Sequence, residues 1–228
     1  VGEDGDDGEG VAFPEEDLFA NPASGTLVTT SGLQPGMAYE VTGRLGAEPS
    51  DADVGDAPVA DVVLPPAENV PEIVAGLAAD LTESAPTPVA KARALENYLH
   101  ANGYYSSGQR GEVRSRAGHN ADRIEILLDA DQMIGDEEQY AVAMALMARA
   151  VGLPARVVMG FEVPEGRGDD PVEVTGDMAT VWVEIPFEDA GWAVFAPTPD
   201  RDRIPQQLAP EPKTSPKPKS IQPPPPPQ

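Results

Sequence analysis

Apolar residues recur at spacings of three and four between Asp136 and Val151, at Ala141, Met144, Ala145, Ala148 and Val151, which is the period of a helix with one buried face. Gly152 supplies its stop. A second helix is predicted after Thr87-Pro88, where threonine can cap and proline fits the first turn; Ala92, Leu95, Tyr98 and Leu99 give it a stripe that ends near His100 to Gly103. Pro71 to Thr82 reads as a short helix, and Asn120 caps another through Leu128. Three runs rich in β-branched and aromatic residues read as strands: Ala155 to Val163, Met178 to Pro186 and Gly191 to Phe195. Leu27 to Leu45 suggests one or two more, and Tyr104 to Gly118 reads as a polar loop carrying Arg110, Arg114 and Arg116.

The ends carry no such periodicity. Eight acids and no base lie between Val1 and Asp17, too polar a stretch to offset its ordering entropy, so residues 1–20 are expected to be a disordered acidic leader. From Ala209 the chain is dominated by proline and lysine and closes on Pro223 to Pro227, a polyproline spacer or a ligand for a proline-reading module. Between them, residues 21–115 are expected to hold strands and helices, 116–208 a core domain and 209–228 a linker. A start at Val1 and a finish in a proline run lead us to expect a fragment of a larger protein.

Charge and cysteine count narrow the function. A formal charge of −24 repels phosphate backbones, so a nucleic-acid partner is excluded as an expectation. The 228 residues contain no cysteine, hence no disulfide, thiolate metal site or cysteine nucleophile. No apolar run reaches the roughly 20 residues that cross a bilayer. Asp4 to Glu9 lacks the spacing of a calcium loop, and beside Asp129 and Asp131 stand Met133 and Ile134 where such a loop needs an oxygen ligand and a glycine. Neither a metal nor a cofactor is expected.

Three blocks resemble the transglutaminase-like superfamily. They are Gly135-Asp-Glu137-Glu-Gln-Tyr140-Ala141 running on to Gly152-Leu-Pro-Ala-Arg156, then Ala179-Thr180-Val-Trp182-Val-Glu184, then Gly191-Trp192-Ala-Val-Phe195-Ala196-Pro197-Thr198. The resemblance implies an α+β, papain-like fold in which a nucleophile helix is followed by antiparallel strands. It also implies a cysteine, a histidine and an aspartate at the positions held here by Glu137, Thr180 and Ala196. A carboxylate is a feeble nucleophile towards amides, threonine cannot shuttle protons near neutral pH, and a methyl group cannot orient a base.

The other candidates have bland readings beside functional ones. Asp136, Glu137 and Glu138 could form a carboxylate cluster, or complement the dipole of the helix they open. His100 and His119 could each replace the lost base, but a capping or exposed role is as well served by either position. Tyr140, Trp182 and Trp192 could line a vestigial peptide groove or pack in the core. Arg149 and Arg156 could pair with acids, and Arg167-Gly168-Asp169 spells an adhesion tripeptide that arises readily by chance.

The expectation is thus a catalytically inactive transglutaminase-like domain, a binding or structural module. By the family resemblance it would stand outside a bacterial membrane between transmembrane segments, with an envelope protein or a peptide-containing cell-wall polymer as partner. The competing expectation is an active transferase, amidase or hydrolase that has recruited Glu137.

Overall fold

The computed structural model describes residues 17–21, 26–39, 48–163, 171–203 and 205. The chain divides into two compact units, Val1–Ala47 and Glu48–Gln228. In the first, β1 (Leu18–Asn21) and β2 (Thr26–Thr29) form an antiparallel hairpin that pairs Leu18 with Thr29 and Ala20 with Leu27. Two expectations change here. Leu18 to Ala20, read as the end of the acidic leader, are a strand, and of the span Leu27 to Leu45 only the β2 residues through Thr29 form one among those described. Residues 1–16 and the proline tail lie outside the described residues.

The second unit is α+β. Its helices are α1 (Asp51–Val54), α2 (Glu72–Thr82), α3 (Pro88–Asn102), α4 (Ala121–Asp129) and α5 (Glu137–Ala150). Its strands are β3 (Gly103–Tyr105), β4 (Met133–Gly135), β5 (Arg156–Phe161), β6 (Ala179–Phe187) and β7 (Gly191–Phe195). The capping residues act where the sequence places them: Thr87 accepts from Ala90 N–H, and Asn120 from Arg123 N–H. Unpredicted are α1, opened by a Ser50–Asp53 capping box, and the parallel pair of β3 with β4.

Helix α5 is central, with α2, α3, α4 and β6 all packed on it. Its buried Ala141, Ala143, Ala145 and Ala148 let neighbours approach closely, while Met144 and Met147 fill the space between. The antiparallel sheet β5-β6-β7 presents Val183, Ile185, Ala193 and Phe195 to this core. One apolar cluster runs from Val54 to Phe195, so residues on both sides of position 116 share it.

Tyr140 is wholly buried in that cluster. Its hydroxyl donates to the Met133 carbonyl (2.6 Å) and accepts from Tyr104 N–H (2.9 Å), which ties α5 to both β4 and β3. Gly103 is needed beside it, because a Cβ there would stand 2.5 Å from the Tyr140 oxygen and 2.6 Å from the Pro199 ring.

Candidate functional site

The N-terminus of α5 is fixed by a buried polar network. Asp136 accepts from Gln139 N–H, and the Gln139 side chain accepts in return from Asp136 N–H, a reciprocal box that closes two of the helix's unpaired donors. Gln139 is fully buried and also donates to the carbonyls of Arg116 and Gly118. Arg123, only 4% exposed, reaches the same node by donating to Gln139 Oε1 (2.7 Å), Ile134 O (2.7 Å) and Arg116 O (2.8 Å). Its partners are dipoles, and burial pulls its pKa down from the ordinary arginine value, with the nearby charge of Asp136 opposing. Burial likewise pushes the Asp136 carboxyl above the usual aspartate range, against the Gln139 N–H that favours its ionised form.

Glu137 is the first residue of the helix so anchored. One carboxylate oxygen accepts from Val181 N–H on β6 (3.2 Å), and the other accepts from the Arg201 guanidinium (2.8 Å). That bond raises the Arg201 pKa. Arg201 sits in the segment that follows β7, over the ring of Tyr105 (5.3 Å), while Arg203 lies over Tyr104 (5.1 Å) and donates to the His100 carbonyl. A cavity of about 610 Å3 opens beside the pair, lined by Glu137, Glu162, Asp177, Met178, Thr180 and Arg201 among others. Thr175 donates its hydroxyl to Asp177 and holds that carboxyl below the ordinary range.

Two of the three sequence-predicted positions therefore meet: Glu137 and Thr180 share one cavity. Ala196 stands one residue beyond the last β6–β7 pair, Val183 with Phe195, so continuing the register sets it opposite Trp182, two residues from Thr180. Its N–H donates to Glu96 (2.7 Å).

The three aromatic residues do not converge on this space. Tyr140 is core. Trp182 and Trp192 alternate with buried Val183, Ile185 and Ala193, and so stand on the sheet face turned away from α5. There Trp182 donates to Glu184 (3.0 Å) and lies against Gly160, and Trp192 stacks under Arg156 (3.7 Å), itself paired with Glu184 (2.6 Å). Arg149 donates to the carbonyls of Ala155 and Pro65 and pairs with no acid among those described. The Arg167-Gly168-Asp169 tripeptide lies outside the described residues.

Neither histidine meets Glu137. His100 Nδ1 donates to the Thr198 carbonyl (2.7 Å), since a carbonyl can only accept. His119 bonds Glu138 instead, at the rim of a groove between α5 and β5 whose remaining lining is Arg149 and apolar side chains. That groove holds no hydroxyl or thiol for the pair to activate. Sequence reading missed Arg123 and Arg201. A buried arginine inside α4 breaks that helix's apolar pattern, a signal that was legible, whereas nothing local marks Arg201, 64 residues from its partner.

No group of three or more metal-ligating side chains occurs among the described residues, and no helix there is long and apolar enough to cross a membrane. The model of the transglutaminase-like superfamily matches residues 75–197, just over half of the chain. YebA of Bacillus subtilis (strain 168) is 29% identical over 136 residues, which cover 58% of this chain and 18% of YebA. The solved periplasmic domain of TgpA from Pseudomonas aeruginosa, bound to ethylmercury, is 28% identical with a TM-score of 0.45, over 59% of this chain and 46% of that one. A second structure of that domain gives 27% identity and a TM-score of 0.44. The chain thus spans less than a fifth of YebA and under half of the TgpA domain.

Proposed function

The chain belongs to the transglutaminase-like superfamily, and on that premise we propose that it is a catalytically inactive member serving as a binding or structural module. The observation that carries this reading is the state of Glu137. Acyl transfer in such a scaffold needs a nucleophile free to attack a carbonyl and a base to take its proton. The carboxylate at the nucleophile position is instead occupied on both oxygens, by Val181 N–H and by Arg201. Beside it, Thr180 offers no group that exchanges protons near neutral pH, and Ala196 offers nothing to orient one. With no cysteine in the chain, no thiolate elsewhere can substitute.

The test is amine incorporation into, and ammonia release from, glutamine-containing peptides across pH, with the wild type, Glu137→Ala and His119→Gln side by side. All three are expected to match the protein-free rate. Turnover by the wild type that either substitution abolishes would replace this reading with an enzyme.

We also propose that the domain faces the outside of a bacterial membrane, within a larger membrane protein, and that its partner is an envelope protein or a peptide-containing wall polymer. The acidic and proline-rich end segments suit linkers, and in YebA the matched stretch is a small part of a much longer chain. These residues contain no cysteine, so a thiol introduced among them is a new one. Gln109 is exposed, so Gln109→Cys in the intact protein should be labelled on whole cells by a membrane-impermeant maleimide above the level of the unsubstituted protein. Labelling only after lysis would place the domain on the other side.

A further inference from the structure

The segment after β7 is fixed along its backbone and loose at one side chain. Ala196 N–H donates to Glu96 (2.7 Å), His100 Nδ1 donates to the Thr198 carbonyl (2.7 Å), and Arg203 N–H closes a turn on Asp200 O (3.0 Å). Pro197, Pro199 and Pro205 are buried, and the Arg203 guanidinium is spent on the His100 carbonyl (3.1 Å) over the Tyr104 ring. Residues 196–203 therefore form a strap laid against the end of α3 and β3. Arg201 is the residue whose side chain reaches from it to the cavity beside Glu137.

The Arg201–Glu137 pair is asymmetric. The glutamate side chain is 15% exposed and the arginine 60%. Glu137 is built into the cavity wall by α5 and by the Val181 N–H (3.2 Å), so it stays in place when its partner leaves. Arg201 has only the 2.8 Å bond to Glu137 and the Tyr105 ring at 5.3 Å. A largely solvated ion pair and a solvated cation–ring contact are each weak, because side-chain entropy and salt both oppose them. Among the described residues that line the cavity, Arg201 is the one base, against Glu137, Glu162 and Asp177. Glu137 by its bond and Asp177 by its charge raise the Arg201 pKa, so the closed position is the one these carboxylates favour.

We propose that the Arg201 side chain is a movable gate on this cavity. Seated on Glu137 it covers the approach to Thr180; swung into solvent it opens that approach while the strap and α5 stay where they are. The covering follows from how the carboxylate is shared. One oxygen of Glu137 lies at the Val181 N–H, the next residue along β6 from Thr180, and the other carries the guanidinium, so Arg201 is held at the Thr180 end of the strand. Opening frees one oxygen of Glu137. Thr180 and Ala196 still supply no base and no group to orient one, so the open gate admits a ligand without restoring acyl transfer.

The gate rests on the binding side of the reading above, in which the cavity is kept for a ligand, and its test needs no turnover. Thr180→Cys introduces the sole thiol of the 228 residues, to be reacted with N-ethylmaleimide in the full chain. Adding Arg201→Ala is expected to raise the labelling rate at least about fivefold, the gain for a site closed about four-fifths of the time or more. Removing a cation beside a thiol raises its pKa and slows it, so acceleration reports access alone. Raising salt from about 0.05 to about 1 M should narrow the gap between the two variants, because screening loosens the pair. Amide exchange at Val181 and in the first turn of α5 should be the same in both, since Glu137 does not move. Equal labelling with and without Arg201 overturns the proposal. So does acceleration accompanied by faster exchange at Val181, which would make Arg201 a structural tether of α5. Either result leaves the inactive-member reading standing, because that reading is decided by turnover.

Discussion

At the scale of single residues, Asp136 shows how the start of α5 is balanced. It caps the helix, yet half-burial raises its carboxyl pKa by more than the Gln139 N–H lowers it. A raised native pKa means that the folded state binds this proton before the unfolded chain does. The contribution of Asp136 to stability is then fullest below the unfolded pKa and falls as pH rises through the native one. Asp136→Asn keeps an acceptor for the cap and removes the ionisation. Its stability relative to wild type should therefore improve as pH is raised from about 3.5 to about 7, in urea unfolding followed by circular dichroism. Asp136→Ala loses the acceptor and should cost about 1 kcal/mol at neutral pH. Tyr140 makes the opposite point about legibility. The sequence left it open between groove and core; the structure buries it in the core, and its hydroxyl partners come from β3 and β4, which no local pattern announces.

At the scale of elements, the strongest signals were periodic and capped. The stripe from Ala141 to Val151, the threonine at position 87 and the asparagine at 120 each mark a helix that forms where they place it, and the three strand runs after Gly152 form the sheet. The three-residue strands β3 and β4 are too short to carry a period, and their parallel pairing depends on Tyr140 and the tight approach at Gly103. Arg123 shows a signal present but unread: a charged side chain on the buried side of α4 must find acceptors. Arg123→Leu would take the guanidinium from Ile134 O, remove one of the two donors to Arg116 O, the other being Gln139 Nε2, and remove one of the two donors to Gln139 Oε1. We expect it to destabilise the fold by about 2–4 kcal/mol, seen as a lower urea midpoint with faster amide exchange in the first turn of α5. An unchanged midpoint would mean that water replaces the guanidinium without cost.

At the scale of the whole molecule, the family was readable because motif order survives the exchange of individual side chains. Gly135 to Arg156, Ala179 to Glu184 and Gly191 to Thr198 preserve the helix, the central strand and the strand beside it, which position the site. The partner of Glu137 was not readable, since Arg201 arrives on the segment after the last strand through tertiary packing alone. Positions 137 and 180 line one cavity, position 196 lies one residue beyond the neighbouring strand and two residues from 180 in register, and on the proposed reading their present side chains perform no acyl transfer. The most direct measurement is ammonia release from a glutamine-containing peptide by the wild type and by Glu137→Cys/Thr180→His/Ala196→Asp, which writes the family's residues back into this backbone. The account predicts a wild-type rate equal to that of buffer and a measurable rate in the triple variant. Turnover by the wild type above buffer, lost in Glu137→Ala, would contradict it.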